Sequence, residues 1–504
     1  MLQASSSLLA HKMQNASLLI LSLAFLPLDT FVLLVSLLMS KALPTKVKSN
    51  RKAAYRQTGF RRRRVLVTGV GMTKGLVLAR LFYEAGHDVI GADFEPNGSL
   101  VCGRVSTSLR RFYRLQKPDL KSGSAPYIQN LLDIVTKEKI ELWVSCSGVS
   151  SAVEDGMAKE VVEARTRCKA IQFDVKTTQT LHEKHSFVQH TKTMGLAVPE
   201  THEITSRVAV ERILGSAPPG RKYIMKTIGV DDSARGDLTL LPKDSDCETS
   251  AHIARLQISA ETPWILQEFI VGKEYCTHSL VVGGRVKAFV ACPSAELLMH
   301  YQALPAESAL SRAMLAFTET CATSGGPDFT GHLSFDFMAQ DEEEEPPSSD
   351  PGNSIVLYPI ECNPRAHTAV ALFEGTPALV DAYLSVLESQ HSSRLADDAP
   401  RITRPVTHGK SYYWIGHDLV TLVILPTLSF LTLSDDASIP DLCQGYMAFF
   451  DHLLTWNDGT YALWDPLPWW WLYHVYWPMR FWSRISQSKK WSRANVSTAK
   501  MFEC

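Results

Sequence analysis

The chain has no surplus of either charge. Its 51 Lys and Arg stand against 52 Asp and Glu, a formal net charge of −1. That balance argues against a nucleic-acid binder, which carries a basic excess. It also has no C-x-x-C pair. The ten cysteines are scattered from Cys102 to Cys504, which argues against zinc binding and against a disulfide framework. Reduced thiols in a cytosolic setting are the expectation, and the sequons at Asn15, Asn97 and Asn495 then read as chance matches. No internal repeat is found. What remains is ordinary for a globular chain, 45% hydrophobic and 20% charged, and 504 residues suffice for two or three domains.

Both ends are less ordinary. Residues 17–40 are almost wholly apolar and long enough for one membrane span. Pro27 and Asp29 interrupt the run and leave three readings open. These are a kinked span, a re-entrant hairpin bending at Pro27, and a cleaved signal peptide, for which no small-residue cleavage site is in evidence. A basic cluster follows: Lys41, Lys46, Lys48, Arg51, Lys52, Arg56 and Arg61 to Arg64. Basic flanks stay cytoplasmic and are drawn to anionic lipid, so a membrane-associated protein with its body facing the cytosol is expected. At the other end, nine of the eleven tryptophans lie between Trp414 and Trp491. Tryptophan and tyrosine favour the membrane–water interface. An interfacial anchor and a subdomain packed on the body are the two readings of residues 411–484.

Between these ends the pattern is α/β. VLVTGV from Val65 reads as a buried strand, the stretch through LVLARLFYEAG as a helix, and HDVIGAD as a second parallel strand ending at Asp93. The intervening loop, Gly69 to Gly75, departs from a dinucleotide fingerprint at Lys74, although Asp93 falls where a ribose contact would be. Dinucleotide binding and a structural turn touching a small substrate both stay open here.

Residues 331–368 are where polar chemistry concentrates. GHLSFDFMA and IVLYPIECNPRAHT read as two strands around an acidic, proline-broken insert at 341–354, itself expected to be a disordered loop. Alternation puts Glu361, Asn363, Arg365 and His367 on one face. Asp336 lies in the first strand. A core does not want that face, whereas a magnesium–phosphate site does. Upstream are a helix with Lys184, a strand with Lys226, a loop with Ser233, Arg235 and Gly236, the strand end Gln267-Glu268-Phe269-Ile270, and the turn to Glu274. Each has a use with ATP. A strand lysine neutralises phosphates, a strand end offers backbone to the adenine edge, a carboxylate holds ribose hydroxyls, and oxygen ligands hold Mg²⁺.

This order resembles the ATP-grasp superfamily over about residues 64–390, with the E-x-N-P-R string as its most specific part. The resemblance implies an α/β (α+β) ATP-grasp fold with a Rossmann-like amino-terminal domain that binds no dinucleotide. It implies that Lys184, Lys226, Gln267, Glu268, Phe269, Ile270 and Glu274 serve ATP, that Asp336, Glu361 and Asn363 hold Mg²⁺ or Mn²⁺, and that Arg365 contacts phosphate or substrate. The domains expected are 1–63 (apolar segment and basic linker), 64–175 (Rossmann-like), 176–395 (catalytic) and 396–504 (aromatic-rich).

GMTKGLVLAR, YIMKTIGVDDSARGDLTLLP, WILQEFIVGKEYCTHS, GHLSFDF, YPIECNPRAHTAV and the WxDPLP string of the tail are similar, more narrowly, to the mycosporine-glycine synthetases. That similarity implies ATP-dependent joining of glycine to the small cyclohexenone 4-deoxygadusol. Arg365 and Arg235 then become candidates to steady the phosphorylated intermediate or the glycine carboxylate. His367, His278 and His332 become candidates for the amine proton, and Lys74 and Thr73 for substrate contact. An acyl-phosphate ligase with another acceptor, a nucleotide-binding scaffold, and an oxidoreductase resting on the glycine loop alone are the alternatives.

Overall fold

The computed structural model describes residues 2, 5–119, 122–146, 148, 151–227, 239–294, 299–339, 355–388, 401–406, 410–432 and 438–504. Mixed α/β architecture organises the body. Five strands, β1 (Arg64–Thr68), β2 (Asp88–Phe94), β3 (Leu109–Leu115), β4 (Leu142–Val144) and β5 (Lys169–Ile171), form a parallel sheet in the order β3-β2-β1-β4-β5. The central strand reads as a continuous apolar run because helices cover both of its faces. Val65 and Val67 pack on the helix Thr73–Glu84. Leu66 faces Tyr127, Leu131, Ala158 and Val162 on the other side.

A smaller antiparallel sheet follows, β6 (Thr201–Ile204), β7 (Tyr223–Thr227) and β8 (Trp264–Glu268), in the order β6-β8-β7. The long strands β9 (Lys273–Val282) and β10 (Arg285–Pro293) turn back on each other at Gly283 and Gly284, both at positive φ as a tight hairpin turn requires. A short strand β11 (Tyr301–Gln302) pairs with Ser411–Tyr413. Strands β12 (Gly331–Ala339) and β13 (Leu357–Asn363) complete a four-stranded antiparallel sheet in the order β10-β9-β12-β13.

This last sheet has two unlike faces. Leu333, Phe335 and Phe337 are buried against Met314, Phe317 and Cys321 of the helix Ala309–Ser324. Alternation then turns His332, Ser334, Asp336 and Met338 to the opposite face. That face meets the segment Thr368–Phe373 and the helix Thr73–Glu84 of the parallel-sheet unit (the first domain). Cys276, Leu280 and Val290 share one core cluster there with Val370, Phe373, Val77 and Phe82.

The helix α1 (Leu8–Ala42) runs unbroken through Pro27, so the hairpin reading is incorrect. The reason lies in its partners. Ser22 Oγ donates to the Tyr473 carbonyl (2.9 Å), Asp29 pairs with His474 (2.9 Å), and Trp470 donates to Thr30 Oγ1 (3.1 Å). The helix is thus tied to the C-terminal region on both sides of the proline. Asn15, Ser22, Asp29 and Ser36 recur every seven residues and share one stripe. Each bonds to the C-terminal region, Asn15 through Trp491 and Ser36 through Tyr461. The described part of that region contains the apolar helices Ile415–Leu431 and Ile439–Thr455. The helical stretches Leu467–Trp471 and Trp477–Gln487 follow, joined by a π-turn at Leu472–Tyr476. The acidic insert 341–354 lies outside the described residues.

Candidate active site

Register brings the acidic groups together. Asp336 sits directly opposite Glu361 on β13 and Cys276 on β9, and Ser334 sits opposite Asn363. Directly opposed residues share a face, so Asp336, Glu361 and Asn363 converge with Glu274, which lies two residues from Cys276. Asn363 Nδ2 donates to Asp336 Oδ2 (3.0 Å). Its Oδ1 is buried and, among the described residues, accepts no hydrogen bond. Burial, then the neighbouring charges of Glu361 and Glu274, hold the Asp336 carboxyl above the usual carboxylate range.

Cations stand across from this acidic group. Lys184, in the first turn of the helix Lys184–Thr193, places Nζ 4.0 Å from Glu361 Oε2. Lys226 on β7 donates to Gln267 Oε1 on β8 (2.6 Å). Burial, with a further contribution from Lys184, lowers the Lys226 ammonium from 10.5 to about 7. Glu274 accepts from Ser294 Oγ (2.9 Å).

The remaining residues of the β8 end are less free. Glu268 Oε2 accepts from the Glu200 N–H (3.1 Å), and its Oε1 lies 3.3 Å from Arg221 Nε. The N–H groups of Glu268 and Phe269 are taken by the carbonyls of Glu200 and Lys222. Ile270 is buried. Arg235 lies outside the described residues, as do Ser233 and Gly236.

The far end of the polar face reaches the first domain. Lys74 is buried and donates to the Ala366 carbonyl (2.9 Å), between Arg365 and His367. Burial and then the Arg365 guanidinium lower it from 10.5 to about 7. The His367 N–H donates to His278 Nδ1 (3.3 Å), which puts the proton of a neutral His278 on Nε2. His332 Nε2 lies 2.7 Å from Tyr383 Oη. Burial lowers both histidines, His278 well below its usual range and His332 to about 3, so both are neutral at physiological pH.

Thr73 is engaged elsewhere, by Trp414 Nε1 (3.1 Å) and by its own N–H to the Ser497 carbonyl (2.8 Å). The glycine loop is tied to the end of β2. Asp93 accepts from the N–H groups of Gly71 (2.6 Å) and Phe94 (2.7 Å). A Cβ on Gly75 would stand 2.3 Å from the Gly69 carbonyl oxygen, so its glycine serves close packing.

One residue pair escaped the sequence reading. Arg80 and Asp465, the latter in the WxDPLP string, form a buried ion pair (2.9 Å). It joins the first domain to the tail, and no local pattern announces it.

The chain matches no family model and no curated protein. Among solved structures it is similar to an L-amino acid ligase from Bacillus licheniformis, at 12% identity over 60% of this chain and 67% of that one, with a TM-score of 0.40. It is similar also to N5-carboxyaminoimidazole ribonucleotide synthetase from Thermus thermophilus, at 17% identity, 61% and 73% coverage and a TM-score of 0.42. A biotin carboxylase from Campylobacter jejuni gives 14% identity, 66% and 73% coverage and a TM-score of 0.45. At these values the likenesses carry no statement about chemistry.

Proposed function

We propose that the protein is an ATP-dependent ligase of the ATP-grasp type that joins an amine to a small acceptor through a phosphorylated intermediate. The observation that carries this reading is the convergence of Asp336, Glu361 and Asn363, with Lys184 and Lys226 across from them and Lys74 bonded beyond, between Arg365 and His367. Two carboxylates and an orphaned amide oxygen form a hard-oxygen donor set that suits Mg²⁺ or Mn²⁺. Asp336, Glu361 and Asn363 would hold the ion, and when bound it supplies neutralisation of phosphate charge.

The chain's own groups do the rest. Lys184 and Lys226 draw the phosphates of ATP to the acidic end. Gln267 to Ile270 and Glu274 edge the nucleoside, although the Glu268 carboxylate and the N–H groups of Glu268 and Phe269 are bonded within the fold and cannot serve it without breaking those bonds. For the acceptor we favour 4-deoxygadusol with glycine as the amine, supported by the motif strings from GMTKG to WxDPLP. The γ-phosphoryl group passes to an enol oxygen of the cyclohexenone and ADP forms. The glycine amine then bonds to that ring carbon, the C–O bond breaks and phosphate leaves with its electron pair. The nitrogen loses a proton, and an enaminone remains. Arg365, with Arg235, steadies the phosphate or the glycine carboxylate. His367 receives the proton at Nδ1, which must first release the Ala369 N–H that it accepts in this structure.

Incubation of the protein with Mg-ATP, glycine and 4-deoxygadusol should release ADP and yield a new absorbing enaminone. ADP release only with a carboxylate acceptor would replace this substrate pair by the acyl-phosphate alternative. No ADP release with either would remove the ligase reading.

We further propose that α1 lies in the membrane interface, with the body on the cytosolic side. α1 is the one described helix long and apolar enough to cross a bilayer. Its polar stripe stays bonded to the body over the length from Asn15 to Ser36, about 30 Å at 1.5 Å per residue. A helix held along that length by a Trp- and Tyr-rich region, side chains that favour the membrane–water interface, suits an interfacial position.

A further inference from the structure

A second cluster of ligating side chains lies outside the polar face. His300 precedes β11, Asp418 and His417 lie in the first turn of Ile415–Leu431, and His452 lies near the end of Ile439–Thr455. His300 Nε2 is 2.8 Å and 3.1 Å from the two oxygens of Asp418. His452 Nδ1 is 2.6 Å from Oδ2, and His417 Nδ1 is 3.4 Å from Oδ1. One donor atom each from His300, Asp418 and His452 fit within 4.8 Å of one another. The Asp418 side chain is fully buried, and among the described residues only imidazoles bond to its carboxylate. Trp456 packs on both His300 and His452, at 5.4 Å and 4.3 Å between ring centroids, and walls off one side.

We propose that His300, Asp418 and His452, with His417 as fourth donor, bind a zinc ion in a closed structural site separate from the acidic face. Three imidazole nitrogens and one carboxylate oxygen make a borderline donor set. It suits zinc and not Mg²⁺ or Ca²⁺, which take oxygen. In a tetrahedral site with bonds of about 2.0–2.1 Å the donor atoms stand roughly 3.3 Å apart. The imidazole-to-carboxylate separations fall on either side of that value; His300, Asp418 and His452 already converge within 4.8 Å, and His417, outside that group, must turn toward it to complete the set. The site uses no cysteine, which is why the absence of C-x-x-C pairs gave no hint of it. Its place explains its use. It would tie two C-terminal helices to the segment that carries Tyr301, and the Tyr301 ring packs against His367 (5.9 Å) and Trp414 (5.8 Å).

The test uses the untagged full chain purified without chelator. Elemental analysis should find about one zinc per chain. His300→Gln and His452→Gln should each lose most of it, and Glu361→Gln on the acidic face should keep it. The unmodified protein supplies an independent arm. After removal of the metal by a chelator, added Co²⁺ should produce the visible absorption of tetrahedral cobalt, and added Zn²⁺ should abolish it. A purified protein with no bound metal and no cobalt band would overturn the inference, leaving a carboxylate held by imidazole hydrogen bonds. Zinc retained in both glutamine variants would overturn it equally. None of these readouts depends on ligase activity.

Discussion

Two charged clusters in this molecule are built on opposite principles. At the junction of the first domain and the tail, Arg80 Nε reaches Asp465 Oδ2, and its other nitrogens donate to the carbonyls of Thr460 and Asp465 (2.9 and 2.8 Å). Asp465 also accepts from Ser106, from the Thr107 N–H and from the Thr107 hydroxyl. Opposite charges meet, and the fold supplies their partners. On the β9–β12–β13 face, Asp336 faces another carboxylate, its proton is held by repulsion and burial, and Asn363 Oδ1 has no hydrogen bond among the described residues. The first cluster holds the fold together. The second leaves work for a ligand, and this distinguishes a structural ion network from a candidate site more sharply than burial does.

Breaking the first cluster should give the largest effect. Asp465→Ala leaves the Arg80 guanidinium buried and uncompensated, which costs about 3–5 kcal/mol. Denaturant unfolding should show that loss, or the variant should fail to accumulate as folded protein. A midpoint unchanged from the parent would mean that solvent reaches the pair.

The matching change on the second cluster should do the reverse. Glu361→Gln removes one of two facing carboxylates, so stability should hold or rise slightly. ADP formation should fall by more than about 100-fold, the scale of losing a group aimed at transition-state charge. A large drop in melting temperature with activity retained would exchange the roles of the two clusters.

A proton count sharpens the contrast further. With its free-state value near 7, Lys226 is mostly neutral at pH 8 and charged at pH 6. Phosphate favours the charged form, so the value rises when nucleotide binds. Binding of ATP at pH 8 should therefore take up close to one proton, and the uptake should vanish towards pH 6. Calorimetry in buffers of different ionisation enthalpy measures this. Lys226→Met should weaken binding and abolish the uptake; an unchanged uptake would assign it to another group.

How much of this could be read beforehand depended on distance along the chain. The parallel βαβ unit and the pairing of Glu361 with Asn363 on one strand face are local patterns, and both were legible; β13 ends at Asn363, so the alternation expected through Arg365 and His367 stops short of them. Asp336 could be matched to Glu361 because only a hairpin separates them. The partners of Arg80 and Asp29 lie hundreds of residues away, and no period encodes such a pairing. Asp29 is instructive. In sequence it interrupts an apolar run. In the fold it is one rung of a stripe at seven-residue spacing, and that spacing was present in the sequence, but its meaning required His474. Glu268 shows the opposite limit: its strand was legible, yet its pairing with Arg221 was not.

The two faces of α1 repeat the contrast on a smaller scale and give the smallest expected effects. Ile20, Leu23 and Phe31 are 66%, 67% and 64% exposed, and no part of the described chain covers them. Ser22, one residue from Leu23, donates to the Tyr473 carbonyl and approaches His474 Nδ1 (3.1 Å). If the outward face rests in lipid, Leu23→Ser should weaken partition onto anionic vesicles by about 1–2 kcal/mol and leave unfolding unchanged. Ser22→Ala should do the converse, lowering stability by about 1 kcal/mol without altering vesicle binding. Sedimentation with vesicles and denaturant unfolding read the two quantities separately. Loss of vesicle binding in both variants would mean that the helix must be docked before it can meet the membrane, making the polar stripe a precondition of the apolar one.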